Sequence, residues 1–285
     1  MRAAALLIAF TLCGPAANAA EFEKIVPASP GTRLDVRLFG GEIAVRGWDR
    51  HEVRIRASHF ATDVIDVGTE EHTIAVRARA RKGKPHAIDF RIEVPAWMPV
   101  SIAGTYLDIS VEGTTAGVSA RTVRGDVRVA GGAGEITLGS TEGEVVLDGG
   151  RGRASLESVN NGVRVTGFDG ELVAESVSGT VKLQSVASAS VAASSVSGDI
   201  SWEGALRDGG RYQLATHSGD LDMTLPANAN TTLAIRSFEG HVHSLLAEKL
   251  PDLPDRRKRF TLKLGTGSAQ AELETFTGTI SLRNQ

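Results

Sequence analysis

Between Thr122 and Gly240 apolar and polar residues alternate in short runs, and the runs recur at a nearly constant interval. Each unit carries Ser or Thr, two variable residues, a glycine, and then apolar residues two and four positions further on. The turn position is held by Gly125, Gly143, Asn161, Gly179, Gly198, Gly219 and Gly240, at spacings of 18, 18, 18, 19, 21 and 21 residues. Two places after it stand Val127, Val145, Val163, Val181, Ile200, Leu221 and Val242; four places after it stand Val129, Leu147, Val165, Leu183, Trp202 and Met223. Five places before it are Leu138, Leu156, Ala174, Ala193, Leu214 and Ile235, and seven before it Ile136, Ala154, Leu172, Val191, Tyr212 and Leu233. A period of two over so few residues marks a strand with one buried side, so each unit predicts two short strands.

A second glycine column, Gly134, Gly152 and Gly170, also repeats every 18 residues. Two strands and two corners per unit describe a flattened coil whose like strands stack in parallel, ~4.8 Å apart. The predicted fold is therefore all-β, a parallel β-solenoid with two short strands in each coil of about 18–21 residues. An antiparallel sandwich also alternates apolar and polar residues, but it does not require a constant phase. Asn161 in the glycine series predicts a left-handed turn at that column, because Asn is the non-Gly residue best suited to positive φ.

The pattern extends back to Leu107, with Ile109 and Val111, and forward to Gly278, with Phe276, Ile280 and Leu282. It is interrupted by the polar stretch Pro251 to Arg259. Ten coils would make a rod of roughly 45 Å. Upstream, Arg33 to Leu38, Glu42 to Val45, Glu52 to Ala57, Thr73 to Ala80 and Ile88 to Val94 alternate less regularly. The expected organisation is an export segment over 1–19, a β-rich N-terminal cap over 20–104 and the solenoid over 105–285. A cap is needed because an open coil exposes a strand edge and core side chains. Val94-Pro95-Ala96 through Ser101-Ile102-Ala103 is similar to Leu225-Pro226-Ala227 through Thr232-Leu233-Ala234, as if both parts derive from one unit.

Composition changes the picture at the N-terminus. Arg2, the apolar stretch Ala3 to Leu12 and the small-residue site Ala17-Asn18-Ala19 predict a cleaved Sec-type export signal. Its apolar run is half of the ~20 residues a spanning helix needs, and no later run approaches that length. Cys13 follows Leu12, unlike a lipoprotein site with a small residue before the Cys, so cleavage after Ala19 would leave a chain without cysteine or lipid. With 31 basic and 34 acidic residues, bulk charge does not imply nucleic acid as a partner. Aromatics at 5% and 32 glycines point to a narrow core of small residues.

The unit Ser176-Val177-Ser178-Gly179-Thr180-Val181-Lys182-Leu183 resembles the repeat of the bacterial candidate-adhesin domain family, a β-strand-repeat domain of unknown function. The start Gly41-Glu42-Ile43-Ala44-Val45-Arg46-Gly47-Trp48 and the end Ala271-Glu272-Leu273-Glu274-Thr275-Phe276-Thr277-Gly278-Thr279-Ile280 are similar to that family's ends. The resemblance implies an envelope or secreted protein without assigned ligand, and it brings no catalytic residues.

Motifs that would carry chemistry do not complete. Gly131-Gly132-Ala133-Gly134 would open a calcium nonapeptide, but Ile136 stands where Asp is needed, and Ala154 does so after Gly149-Gly150-Arg151-Gly152. Gly150 and Gly152 lack the third glycine of a dinucleotide loop. Thr122, Ser140, Ser158, Ser176, Ser195, Thr216, Ser237 and Thr275 form a hydroxyl column that predicts corner hydrogen bonds, since a nucleophile would be singular. His217 takes a place otherwise held by Val123, Val159, Val177, Val196 and Phe238, which predicts packing. Arg77, Arg79 and Arg81 alternate to form a basic strand face, and Arg256 to Arg259 reads as a loop.

No catalytic residue, metal or cofactor is expected. The expected function is that of a non-enzymatic exported, adhesin-like surface or scaffold protein, in the periplasm, secreted or at the cell surface, whose partner is an unidentified envelope protein or glycan. A polysaccharide-acting enzyme is the alternative, with a carboxylate pair drawn from Asp199, Asp220 or Asp222. Filament assembly through stacked ends is a third reading, disfavoured by the irregular N-terminal part. His241 follows its turn directly and is expected to stack beneath Asp220 and Asp199, with His243 beside Asp222 in the neighbouring outward column. The extra residues of the long coils fall in Glu203 to Arg211 and Thr224 to Thr231. Those loops, with Asp220, Asp222, His241 and His243, form the expected interaction edge.

Overall fold

The computed structural model describes residues 19–60, 62–83, 85–246 and 258–285. Cys13 and the export segment up to residue 18 lie outside the described residues, as do residues 251–257 of the polar interruption. No helix among the described residues is long and apolar enough to cross a membrane. The chain is an all-β solenoid of two parallel sheets that face one another across a narrow core.

The alternation builds both sheets. The front sheet stacks Val118–Arg124, Ala133–Glu142, Arg151–Ser158, Asp169–Ser176, Ser190–Ser195 and Arg211–Thr216 in parallel. The back sheet stacks Val127–Gly131, Val145–Asp148, Gly162–Thr166, Thr180–Gln184, Ile200–Glu203 and Leu221–Leu225 likewise. Pairing is in phase: Val127, Val145, Val163, Val181, Ile200 and Leu221 lie directly over one another. Every inward residue read from the periodicity is buried except Val242, which is half-buried in the outermost coil. A shift of one residue would turn each row to solvent, so the constant phase is what burial enforces.

At the corner between front and back sheets the hydroxyl column is buried and bonded to backbone. Ser195 accepts the Gly198 N–H at 2.9 Å, and Thr216 accepts that of Gly219 at 3.1 Å. Thr216 in turn donates to the carbonyl of Gly198 in the neighbouring coil at 3.0 Å, as Ser140 does to Gly125 at 2.8 Å and Ser158 to Gly143 at 2.9 Å. Ser158, Ser195, Thr216 and Thr275 thus each close their own turn and tie it to the neighbouring coil. The Ser237 hydroxyl, in the outermost coil, is buried without a partner.

The expected left-handed turn is not what selects glycine at this corner. Gly179 and Gly219 lie outside the left-handed region, as does Asn161; positive φ occurs at Gly125 and at Gly162, one residue beyond Asn161. The requirement is steric. A Cβ on Gly219 would lie 2.1 Å from the carbonyl oxygen of Gly198, and one on Gly278 would lie 1.9 Å from that of Gly219. Positive φ belongs to the second corner, where Gly134, Gly152 and Gly170 have φ of 84°, 117° and 145°.

The long coils are widened from inside. Trp202 and Tyr212, each 1% exposed, meet edge to face at 5.2 Å where smaller residues stand in earlier coils. The Tyr212 hydroxyl donates to the Ser188 carbonyl at 2.6 Å and accepts the Arg207 N–H at 2.7 Å. Trp202 Nε1 donates to the Gly204 carbonyl at 3.0 Å. Within Glu203 to Arg211 the loop is therefore bonded to the core through Gly204 and Arg207.

Both ends depart from chain order. At the C-terminal end Arg211–Thr216 and Leu221–Leu225 pair with Ala269–Thr275 and Ile280–Asn284, which in turn pair with Thr231–Ser237 and Val242–Ser244. The last coil of the chain is thus inserted before the preceding one. At the N-terminal end Arg33–Trp48 lies between Val100–Thr114 and the coil made by Thr73–Ala80 and Asp89–Pro95. Where the chain skips a slot, the two similar Pro-Ala segments make the turn: Met98 N–H bonds the Pro95 carbonyl at 2.9 Å, and Ala229 N–H bonds that of Pro226 at 3.0 Å. Antiparallel strands then cover the ends. Asp63–Glu70 and Glu52–Phe60 pair with the first coil, Ala19–Pro27 with Glu52–Phe60, and Lys258–Leu264 with Thr231–Ser237. Parallel stacking already begins with these N-terminal coils, and position 104/105 falls inside the continuous strand Val100–Thr114.

Candidate binding groove

The insertion of the last coil separates the residues expected to stack. Thr279 occupies the register position between Asp220 and His241, and Ser281 that between Asp222 and His243. Two strand spacings, ~10 Å, now divide each pair. The Asp220 carboxylate accepts the Thr279 N–H at 2.7 Å, while the Asp220 N–H donates to Asp199 at 2.8 Å. The same rung recurs as Asp126 to Asp108 and Glu144 to Asp126, both at 2.8 Å. These aspartates form a ladder beside the glycine corner. Asp222 is held by Arg283 at 3.1 Å on the outer face of the back sheet. Among the described residues no three His, Cys, Asp or Glu side chains converge as a metal site.

The expected edge is also divided lengthwise. Asp220 and His241 sit where back-sheet strands begin, whereas Glu203 to Arg211 and Thr224 to Thr231 lie where those strands end. Loop residues there hold one another: Asp208 accepts the Ser268 hydroxyl, and Arg207 pairs with Asp169 at 3.2 Å. The basic strand face is compensated, Arg77 by Asp35 at 3.1 Å and Arg79 by Asp66 at 2.6 Å. Arg259 belongs to the strand Lys258–Leu264 and not to a loop.

A different constellation emerges on the front side of the glycine corner. The residue after each corner hydroxyl points outward, and in three adjacent coils it is aromatic. His217 stacks on Phe276 with ring centroids 4.9 Å apart and planes 14° apart; Phe276 stacks on Phe238 at 4.6 Å and 12°. His217 is therefore packed as expected, but on Phe276, because the last coil is inserted between His217 and Phe238. Along this wall runs a groove of about 510 Å³. Ser194 and Ala215 open it, and Arg236, Glu274 and Arg259 form its other rim. Arg236 is held by Glu272 at 2.6 Å and Glu274 at 3.6 Å. The apolar column continues from the groove through Val196 and Val177, 52% and 45% exposed.

Periodicity alone does not disclose this site, because chain order places Phe238, not Phe276, next to His217. The available signal was compositional: the outward column changes from Val177 and Val196 to His217, Phe238 and Phe276 in a chain with few aromatics.

No curated protein matches the chain. Among solved structures, a candidate lipid-binding protein of Parabacteroides distasonis shares 12% identity, with 93% of this chain and 96% of that one covered and a TM-score of 0.48. A candidate adhesin of Bacteroides fragilis shares 13% identity, over 92% and 97%, with a TM-score of 0.47. The family profile described as Toastrack DUF4097 matches residues 33–283. The chain belongs to the Toastrack DUF4097 family.

Proposed function

We propose that this protein is a non-enzymatic, exported binding module of the cell envelope, and that the corner groove is where it holds its ligand. The observation that carries the reading is the exposed aromatic wall His217–Phe276–Phe238 beside a groove of about 510 Å³, within the size range of ligand sites. Contiguous exposed apolar surface of this kind marks interaction, whereas apolar residues scattered singly over a surface are ordinary. Export is supported by the Arg2-to-Ala19 pattern of the sequence.

The enzyme alternative needs two carboxyl groups free to exchange protons across a cleft. Asp199 and Asp220 each accept a backbone N–H of the adjacent coil, and Asp222 is paired with Arg283. None of the three lines the groove.

Fractionation and intact mass test the export half: the chain should be recovered outside the cytoplasm with its first residue near position 20. An array of envelope glycans and lipids tests the binding half. Phe276→Ser should abolish the capture seen with the parent chain while leaving its melting unchanged, and Asp220→Asn should retain capture. Release of reducing ends from envelope polysaccharide, lost in Asp220→Asn, would overturn the reading.

A further inference from the structure

We infer that the ligand of the groove is an unbranched acyl chain ending in an anionic head, laid parallel to the rod axis. This rests on the groove being the ligand site and adds the chemistry it selects.

The aromatic wall decides against ligands that dock on ring faces. His217, Phe276 and Phe238 are nearly coplanar in tilt, with centroids 4.9 and 4.6 Å apart. That separation equals the ~4.8 Å strand repeat, so the three rings stack on one another at successive strands along the rod. Much of each face that meets a neighbour is covered by it, and no full ring face is left open between them. A sugar ring or a nucleobase needs an open face; an aliphatic chain does not.

The apolar surface is also long and one residue wide. Pairing of Ser176 with Ser195 and of Ser195 with Thr216 places Val177, Val196 and His217 in successive coils of one column. From Val177 to Phe238 that column crosses four strand spacings, ~19 Å. An extended chain of methylenes matches a straight strip of this shape, whereas a protein surface would need apolar breadth. Across the groove, Ser194 and Ala215 are small enough to leave room for the chain.

Charge sets the direction. Arg236 is neutralised by Glu272 and Glu274. Arg259 pairs with Arg236 in strand register and lines the groove at its outer end. No ion pair to Arg259 occurs among the described residues, so it is the cation placed to meet an anionic head. The chain then runs from Arg259 past Phe276 toward Val196.

Calorimetric titration of the purified chain with laurate below its micelle concentration, with dodecyl maltoside and with a linear oligosaccharide tests the inference. Laurate should bind once per chain, dodecyl maltoside at least tenfold more weakly, and the oligosaccharide not at all. Phe276→Ser should weaken laurate at least tenfold. Arg259→Gln should bring laurate down to the maltoside affinity and leave maltoside unchanged. Both side chains are on the surface, so unchanged melting is the control that the variants fold. Absence of laurate binding, or equal laurate affinity in the parent and Phe276→Ser, overturns the inference. Oligosaccharide binding that Phe276→Ser removes also overturns it, yet keeps the groove as the ligand site.

Discussion

The two corners of the coil both use glycine, for different physical reasons. At the front-to-back corner, Gly179, Gly198, Gly219 and Gly278 lie outside the left-handed region, and backbone presses on backbone. At the back-to-front corner Gly134, Gly152 and Gly170 all have positive φ; nothing lies near the missing Cβ of Gly134, whereas one on Gly152 or Gly170 would also lie 2.3 or 1.9 Å from a backbone oxygen. Gly179, Gly198, Gly219 and Gly278 are thus selected by space alone, Gly134 by conformation alone, and Gly152 and Gly170 by both. The first is also cross-linked by hydroxyls from coil to coil, whereas the second absorbs loops of different length. Rigidity at one corner lets the adjacent outward column hold its rings in register, and so the groove lies beside the invariant corner and not beside the variable loops.

The largest expected effect separates these reasons directly. In Gly219→Ala the new methyl would sit 2.1 Å from a backbone oxygen, with no rotamer to relieve it. Overpacking of this kind costs about 3 kcal/mol, the upper end of the usual range. Gly134→Ala meets no atom and bears only the left-handed penalty, about 1–2 kcal/mol, with Gly134→Asn costing less. Urea melts of the three variants check the order. Equal losses for Gly219→Ala and Gly134→Ala would erase the distinction between the corners.

Next come the hydroxyls. Thr216→Val keeps shape but leaves the Gly219 N–H and the Gly198 carbonyl without their partner, an expected loss of about 1–3 kcal/mol. Thr216→Ser should recover most of it. A Val variant as stable as the Ser variant would mean the ladder contributes shape alone.

The variable corner has its own anchor in Tyr212. Tyr212→Phe leaves the Ser188 carbonyl and the Arg207 N–H unpaired, at about 1–2 kcal/mol. Burial raises the Tyr212 phenol above its ordinary value, and the Arg207 N–H pulls it part of the way back. A folded-state value above the unfolded one gives stability that is whole below pH ~10 and is lost as pH rises through the raised value. The parent should therefore lose stability at alkaline pH more steeply than Tyr212→Phe. Parallel curves for the two chains would show that the phenol is not held by the fold.

What the sequence disclosed and what it withheld follow from the same physics. Inward columns such as Val145, Val163 and Val181 are legible because a period of two and a constant phase are local properties of the chain. The order of the end coils is not local. Whether Phe276 or Phe238 neighbours His217 depends on which strand edge the last coil joins, and spacing says nothing about that. The similarity of Val94-Pro95-Ala96 to Leu225-Pro226-Ala227 was visible as sequence, and its meaning as a turn over a skipped slot needed the pairings. Asn161 in the glycine column suggested positive φ, and the positive φ stands one residue later, at Gly162.

That displacement supplies the smallest and sharpest test of the two corners. In the coil of Ser158 the hydroxyl accepts the N–H of Gly162, four residues on, where the coil of Ser176 uses Gly179, three residues on. Asn161 thus carries a side chain at the crowded position because Gly162, at φ 119°, bends the backbone away. Gly162→Thr alone should cost about 1–3 kcal/mol, since a Cβ there would lie 2.4 Å from the Thr180 carbonyl oxygen and the φ is strained. Adding Asn161→Gly rebuilds the Gly-Thr order of Gly179-Thr180 and lets the corner adopt the geometry of its neighbours. The double variant should melt within about 0.5 kcal/mol of the parent, a coupling of adjacent residues in a shared turn. If the second substitution rescues nothing, the glycine at this corner is not interchangeable between the two positions, and the steric account of the column fails.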